Sequence, residues 1–356
     1  MASRKQQRID PNRVERNQVP ARLEADVRIP AEARATGPAP KANGRSRKPG
    51  GRPPTAAKVR KAGAGDWIAG ARLRTLPLSV SPVILGTAIA HESSTPWLWW
   101  NIGLALAVAV FLQIGVNYAN DYSDGVRGTD KFRLGPSRLT GSGAAKPRTV
   151  LTVALVFFAL AAIAGVILVV IVGQYWLLAV GAVSIVAAYF YTGGKRPYGY
   201  YGLGELFVFI FFGLVATVGT TYVQESAKTF IASNWLDTLI AGAAIGFIAC
   251  AVLMVNNIRD LPQDKLAHKR TLAVLVGNTA ARILFAVFLV LAFVAPIWFG
   301  LLYPNVYYTY FVVFLAGPAI LITLTAKTPR ELVTALQLTS FTALFFAIGL
   351  GWGIAF

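Results

Sequence analysis

The chain has 356 residues and a formal net charge of +18, yet only 14% of its residues are charged and 55% are hydrophobic. A mean hydropathy of +0.54 excludes an ordinary soluble domain and predicts an all-α, polytopic membrane protein. The single cysteine, Cys250, lies inside an apolar run, which excludes a disulfide framework and predicts a buried thiol.

Residues 1–65 are a different material, with sixteen Lys+Arg against five Asp+Glu, many Pro, Ala and Gly, and almost no aromatics. Such a composition cannot bury a core and predicts a disordered basic N-terminal tail ahead of a membrane domain at 66–356. The tail has no apolar stretch of the kind that marks a secretory signal. Its charge suits loose contact with anionic lipid, at about 1 kcal/mol per basic residue near the surface. Binding to nucleic acid would be nonspecific. A solvated tail that helps fix orientation is the simpler reading.

From Leu76 onward the apolar runs predict nine helical spans, at 76–91, 98–118, 149–172, 175–192, 203–224, 236–256, 279–301, 306–326 and 332–355. Each approaches the roughly twenty residues that a bilayer requires. The connecting segments 119–148, 193–202, 257–278 and 327–331 carry six, two, four and two Lys+Arg, whereas 92–97, 173–174 and 302–305 carry none and 225–235 only Lys228. The positive-inside rule then predicts a multi-pass protein of the cell membrane. It sets the N-terminus and the Asp-rich loops in the cytoplasm and the C-terminus outside.

Two of the basic segments also hold clusters of aspartates. The first reads NYANDYSDGVRGTDK from Asn117 and contains Asp121, Asp124 and Asp130; the second reads NNIRDLPQD from Asn256 and contains Asp260 and Asp264. Asn256-x-x-x-Asp260 repeats Asn117-x-x-x-Asp121, and both stretches end an apolar span, four spans apart. This predicts a 4+4 pseudo-repeat plus one helix, with a polar site between the halves. Residues three or four apart share a helix face, so Asn117, Asn120, Asp121 and Asp124 would line up. From Asp66 the chain has eleven acids, five of them in these two stretches. Ionised carboxylates at the end of a hydrophobic span need cations beside them. Two facing clusters suit Mg²⁺ held against a polyphosphate, and Asp121, Asp124, Asp130, Asp260 and Asp264 are the candidate ligands.

Fixed cations surround the acids: Arg127, Lys131, Arg138 and Lys146 in the first stretch, Arg259, Lys269 and Arg270 in the second, with Arg72, Tyr191, Lys195 and Arg196 from neighbouring segments. Acids mixed with cations suit a departing diphosphate, whose charge must be neutralised. Candidate substrate contacts are Arg72, Asn117, Asn120, Arg127, Lys131, Arg138, Arg196, Asn256, Asn257 and Lys269; Lys195 and Tyr191 join the aspartates as catalytic candidates. Arg133, Lys265, Lys327 and Arg330 read as ordinary inside anchors. Aromatics at Tyr189, Phe190, Phe207, Phe209, Phe211, Phe212, Tyr310 and Phe314 suit packing or lipid contact, or the lining of an isoprenoid channel. The two histidines, His91 and His268, fall on opposite predicted sides of the membrane, so they cannot pair at a metal.

In these phrases the chain resembles the intramembrane UbiA superfamily of prenyltransferases. Asn120-Asp121-x-x-Asp124 is similar to its first Asp-rich motif, Asp260-x-x-x-Asp264 to its second, and Tyr191-x-x-x-Lys195 to the element between them. ARLRTLP (71–77), GPSRLTGSG (135–143) and YTGGKRPYGYYGLGE (191–205) point to the naphthoate branch of that family. The commonest pattern places a third aspartate where this chain has Gly128; the next acid is Asp130. The resemblance implies Mg²⁺-dependent transfer of a polyprenyl group from its diphosphate to 1,4-dihydroxy-2-naphthoate, with loss of diphosphate and CO₂. Other acceptors (4-hydroxybenzoate, a porphyrin, a phosphosugar) remain open, as does a cation transporter. A transporter would want its carboxylates near mid-span rather than at helix ends.

Overall fold

Inside a bilayer every backbone polar group must bond within its own segment, so long apolar runs fold as helices. The computed structural model describes residues 60–92, 96–132, 138–225 and 229–356, without the side chains of 131, 132, 233 and 234. Among the described residues there is no strand. The expected tail, up to residue 59, lies outside them. Folding is already established at its predicted boundary, however: Ala62 N donates to Ala144 O at 2.9 Å, and Arg60 pairs with Asp66 at 2.8 Å.

The helices in chain order are α1 (Ala64–Ala71), α2 (Pro77–Glu92), α3 (Trp99–Arg127), α4 (Pro147–Val172), α5 (Leu177–Phe190), α6 (Gly204–Gln224), α7 (Trp235–Leu266), α8 (Leu272–Val276), α9 (Asn278–Gly300), α10 (Pro304–Thr325) and α11 (Pro329–Ala355). Seven of them, α3, α4, α6, α7, α9, α10 and α11, are long and apolar enough to cross a membrane. The segment Ala64–Thr75 and α2 reach that length only together, across a bend of 44°. At fourteen residues, α5 is shorter than a full span.

Two stretches expected as Asp-rich loops are helical. Helix α3 runs on through Asn120, Asp121 and Asp124, and α7 runs through Asp260 and Asp264. Polarity does not end a helix; a stop signal does. For α3 the signal is Gly128, at φ 77°, whose N–H group caps Asp124 O and Gly125 O. After α7 the chain turns at His268, at φ 54°. Only Asp130 sits outside a regular α-helix, in the 3₁₀ turn Thr129–Phe132.

Helix α7 is the hub. Its Ile245, Ile248 and Met254 pack with Phe285 and Leu289 of α9, Phe346 and Leu350 of α11, and Leu85 and Ile89 of α2, all fully or almost fully buried. Lipid gives no hydrophobic drive between helices, so close approach of small residues matters instead. At the α6–α7 crossing a Cβ on Gly213 would come within 2.6 Å of Gly242 O and Gly246 Cα. The backbone of α6 adopts π-helical bonding through Phe209–Val215 at that crossing. Packing is uneven across the molecule and does not follow the predicted 4+4 division: α7, α9–α11 and α2 share one solid core, while α2–α7 line an open cavity.

Candidate active site

The cavity holds about 580 Å³. Its walls are largely apolar residues of α2–α7, among them Val83, Ala105, Leu112, Leu177 and Val252. Along α3 the lining extends from Ala105 to Asp124, a depth of about 28 Å at the helical rise of about 1.5 Å per residue. One end is polar, lined by Arg72, Asn117, Asn120, Asp124, Arg138, Tyr191, Thr192, Asn256, Asn257 and Lys269.

Helical spacing brings the α3 acids to this end, and the chain folds back to meet them. Asp121 accepts hydrogen bonds from Leu139 N (2.9 Å, Oδ2) and Thr140 N (2.8 Å, Oδ1), so it secures the segment that carries Arg138. Arg138 then donates to Asn120 O (2.9 Å) and Asp124 Oδ2 (2.8 Å), with Asp130 Oδ2 at 3.3 Å. Burial opposes the charge on Arg138, but Asp124, Asp130, Asp121 and Asp260 more than offset this and raise its pKa. Each hydrogen bond to a charged partner is worth about 1.5–3 kcal/mol, which explains how a nearly buried guanidinium is retained.

Lys269 joins the two stretches. Its Nζ lies 3.8 Å from Asp124 Oδ2 and 3.9 Å from Asp264 Oδ1, at the turn that follows α7. Asp260 is engaged elsewhere: Arg259 grips both its oxygens at 2.7 Å and also donates to Asn256 Oδ1 at 2.7 Å. Tyr200 donates to Asp124 Oδ1 at 2.7 Å, and its ring centroid lies 5.0 Å from Lys269 Nζ and 5.3 Å from the Arg127 guanidinium. Burial first, and then the charge of Asp124, push the Tyr200 hydroxyl above its usual pKa, so it stays a donor at neutral pH.

Some sequence candidates lie apart from this cluster. Lys195 and Arg196 are exposed and do not line the cavity. Helix α5 ends at Phe190, so the spacing Tyr191-x-x-x-Lys195 no longer follows a helix face, and only Tyr191 turns inward. Arg127 bonds to the carbonyls of Thr192 and Gly194, pinning that turn to the end of α3. The Lys131 side chain lies outside the described residues. Of the aromatics, Phe207, Phe211 and Phe212 line the cavity, with Phe207 stacked on Tyr198 at 4.0 Å; Phe314 is 77% exposed on the outer surface. Tyr200 carries a site contact that sequence reasoning did not assign, while Arg259, expected only as one of the cations around the acids, holds Asp260 and Asn256. The only signal for Tyr200 was a tyrosine-rich turn beside basic residues.

The sequence profile of the UbiA prenyltransferase family matches residues 79–348. The 1,4-dihydroxy-2-naphthoate octaprenyltransferase of Mycobacterium tuberculosis is 44% identical over 309 residues, covering 82% of this chain and 97% of that protein. Among solved structures, the apo UbiA homolog from Aeropyrum pernix K1 superposes with a TM-score of 0.59 at 16% identity, covering 77% of this chain and 96% of that one. The UbiA homolog from Archaeoglobus fulgidus bound to DMAPP and Mg²⁺ gives 0.52 at 14% identity, covering 82% and 99%.

Proposed function

The chain belongs to the UbiA prenyltransferase family, and on that premise we propose that it moves a polyprenyl group from polyprenyl diphosphate to 1,4-dihydroxy-2-naphthoate, giving demethylmenaquinol, diphosphate and CO₂. The observation that carries this is the junction of a deep apolar cavity with a polar end where Asp124, Asp264, Arg138 and Lys269 meet. The cavity suits the prenyl chain and the polar end its diphosphate.

Mg²⁺ fits the donor set. The acids offer only hard oxygen ligands, and among the described residues no three His, Cys, Asp or Glu cluster tightly enough to hold a metal alone. Mg²⁺ characteristically takes one or two carboxylates and completes its shell with water and phosphate oxygens. Asp124, Asp130 and Asp264 are the residues that would hold it, with Asp260 and Asp121 behind them. When bound, it supplies charge neutralisation at the diphosphate. The Mg²⁺ and DMAPP named for the Archaeoglobus fulgidus homolog support this choice.

The chain's own groups do the rest. Arg138 and Lys269 are cations already desolvated beside the acids, and they take up negative charge as the C–O bond ionises. Tyr200 keeps Asp124 oriented. The apolar walls exclude water from the allylic cation, and the aromatic rings of Phe207 and Phe211 are among the cavity residues available to stabilise it. The carbon bearing the carboxylate in the acceptor ring attacks, and departure of CO₂ restores aromaticity.

For topology we propose nine spans, with the basic helix ends and the polar end of the cavity in the cytoplasm and the C-terminus outside. The test of function uses purified protein, Mg²⁺ and a polyprenyl diphosphate, with either 1,4-dihydroxy-2-naphthoate or 4-hydroxybenzoate. Prenylation of the first alone, with release of CO₂, is expected. Preference for 4-hydroxybenzoate, or prenylation without CO₂, overturns the acceptor and leaves the prenyl transfer standing.

A further inference from the structure

Four asparagines line the polar end, and each has one half of its amide committed to the protein. Asn117 Nδ2 donates to Ala71 O at 2.9 Å, and Asn257 Nδ2 donates to Glu205 Oε1 at 3.0 Å. Asn120 Oδ1 accepts from Thr192 Oγ1, and Asn256 Oδ1 accepts from Arg259 Nη2, both at 2.7 Å. A carbonyl or a carboxylate can only accept and a guanidinium can only donate, so these partners fix how the amides of Asn117, Asn257 and Asn256 are turned; the Thr192 hydroxyl, able to do either, donates to Asn120. What remains for the cavity is a fixed set, acceptor oxygens on Asn117 and Asn257 and a donor nitrogen on Asn256, with the nitrogen of Asn120 beside it while Thr192 donates.

Glu205 is the unusual member. It is 5% exposed, sits at the start of α6 without lining the cavity, and its Oε2 is buried without a hydrogen-bond partner. A buried acid with one oxygen unsatisfied costs stability, and none of the diphosphate chemistry above uses it. Its backbone oxygen is tied to Cys250 Sγ at 3.2 Å, which pins it against α7 next to Asn257.

We propose that Glu205 is a positioning residue that holds the Asn257 amide oxygen towards the cavity, where with Asn117 Oδ1 it accepts hydrogen bonds from the hydroxyl groups of the acceptor ring. This rests on the functional reading above and extends it to the residues that recognise the ring. The substrate class is a dihydroxylated aromatic carboxylate: the two acceptor oxygens take its O–H groups, while Asn120, Asn256 and Arg138 face its carboxylate. Hydrogen bonding to an amide oxygen makes a ring hydroxyl a stronger electron donor to the carbon beside it, and no proton has to leave.

The test measures KM for 1,4-dihydroxy-2-naphthoate and inhibition constants for its two mono-O-methyl ethers, each lacking one O–H donor. Wild-type protein should bind at least one ether about tenfold more weakly than the parent acid, the size of one lost hydrogen bond. In Asn257→Leu and in Glu205→Leu that gap should collapse to within about twofold, the double variant should add nothing further, and KM for polyprenyl diphosphate should stay within about twofold of wild type. Glu205→Gln, which keeps a carbonyl acceptor for Asn257 Nδ2, should restore the gap. A gap that survives Asn257→Leu overturns the proposal, and so does a Glu205→Leu variant that shifts only the diphosphate KM. Should Glu205→Leu fail to extract as folded protein, Asn257→Leu and Glu205→Gln decide alone. Wild-type protein that prenylates no naphthoate at all defeats the functional reading instead.

Discussion

At the scale of single residues, the site is a set of acids whose partners are cations, backbone amides and the Tyr200 hydroxyl. Asp124 is the most heavily engaged, meeting Arg138, Tyr200 and Lys269. Asp124→Asn and Asp264→Asn should each lower turnover at least about a hundredfold while the protein still extracts as a monodisperse species, because loss of a transition-state charge contact acts on rate. Full activity in either variant would falsify the two-stretch site. Lys269→Ala should raise KM for polyprenyl diphosphate at least tenfold, whereas exposed Lys195 should tolerate alanine within about threefold. Steady-state kinetics on the two variants separates these outcomes. Lys269 was readable as one of several cations beside the second acidic stretch. Its reach to both stretches was not, because it depends on the turn after α7 folding back over Asp124.

At the scale of elements, helix ends and helix crossings decide where chemistry sits. The α3 stop at Gly128 sets the register of Asp130 and of the segment that returns to Asp121. With φ at 77°, Gly128→Ala should cost about 1 kcal/mol and lower the thermal midpoint measured in detergent. Gly219 behaves differently, since nothing lies within 4 Å of where its Cβ would sit and it lines the cavity. Gly219→Phe should therefore fold, put its ring into the prenyl channel, and shift preference towards shorter prenyl donors; competition between two donor lengths measures this. An unchanged preference would show that the chain runs along another wall.

At the scale of the whole molecule, packing and opening fall to different helices. Helices α9–α11, with part of α2, form the solid packing that anchors α7, and α2–α6 leave the cavity open against it. Deleting residues 2–55 should leave activity in detergent within about twofold, while a cut beyond Ala62 should remove the bond to Ala144 and the Arg60–Asp66 pair and lower stability. Comparing thermal midpoints of the two truncations checks it. Reporter fusions after Phe356 and within the segment 138–146 should report opposite sides of the membrane; the same side for both would sink the proposed topology.

Composition, apolar run length and the paired Asn–Asp spacing determined by themselves that this is an all-helical membrane protein with two acidic stretches. Those properties are local and periodic: helix geometry alone lines up Asn117, Asn120, Asp121 and Asp124. Only the tertiary structure decided what each acid faces. Asp121 holds a backbone segment, Asp260 is taken up by its own neighbour Arg259, and Asp124 faces Arg138, Tyr200 and Lys269 from three separate parts of the chain. It also turned Lys195 outward, because α5 ends before the four-residue spacing can act. The pairings of Asp121 and Asp124 join residues 14 to 145 positions apart, through turns whose glycine and left-handed geometry carries no periodic signal, so they exist only once the helices have packed.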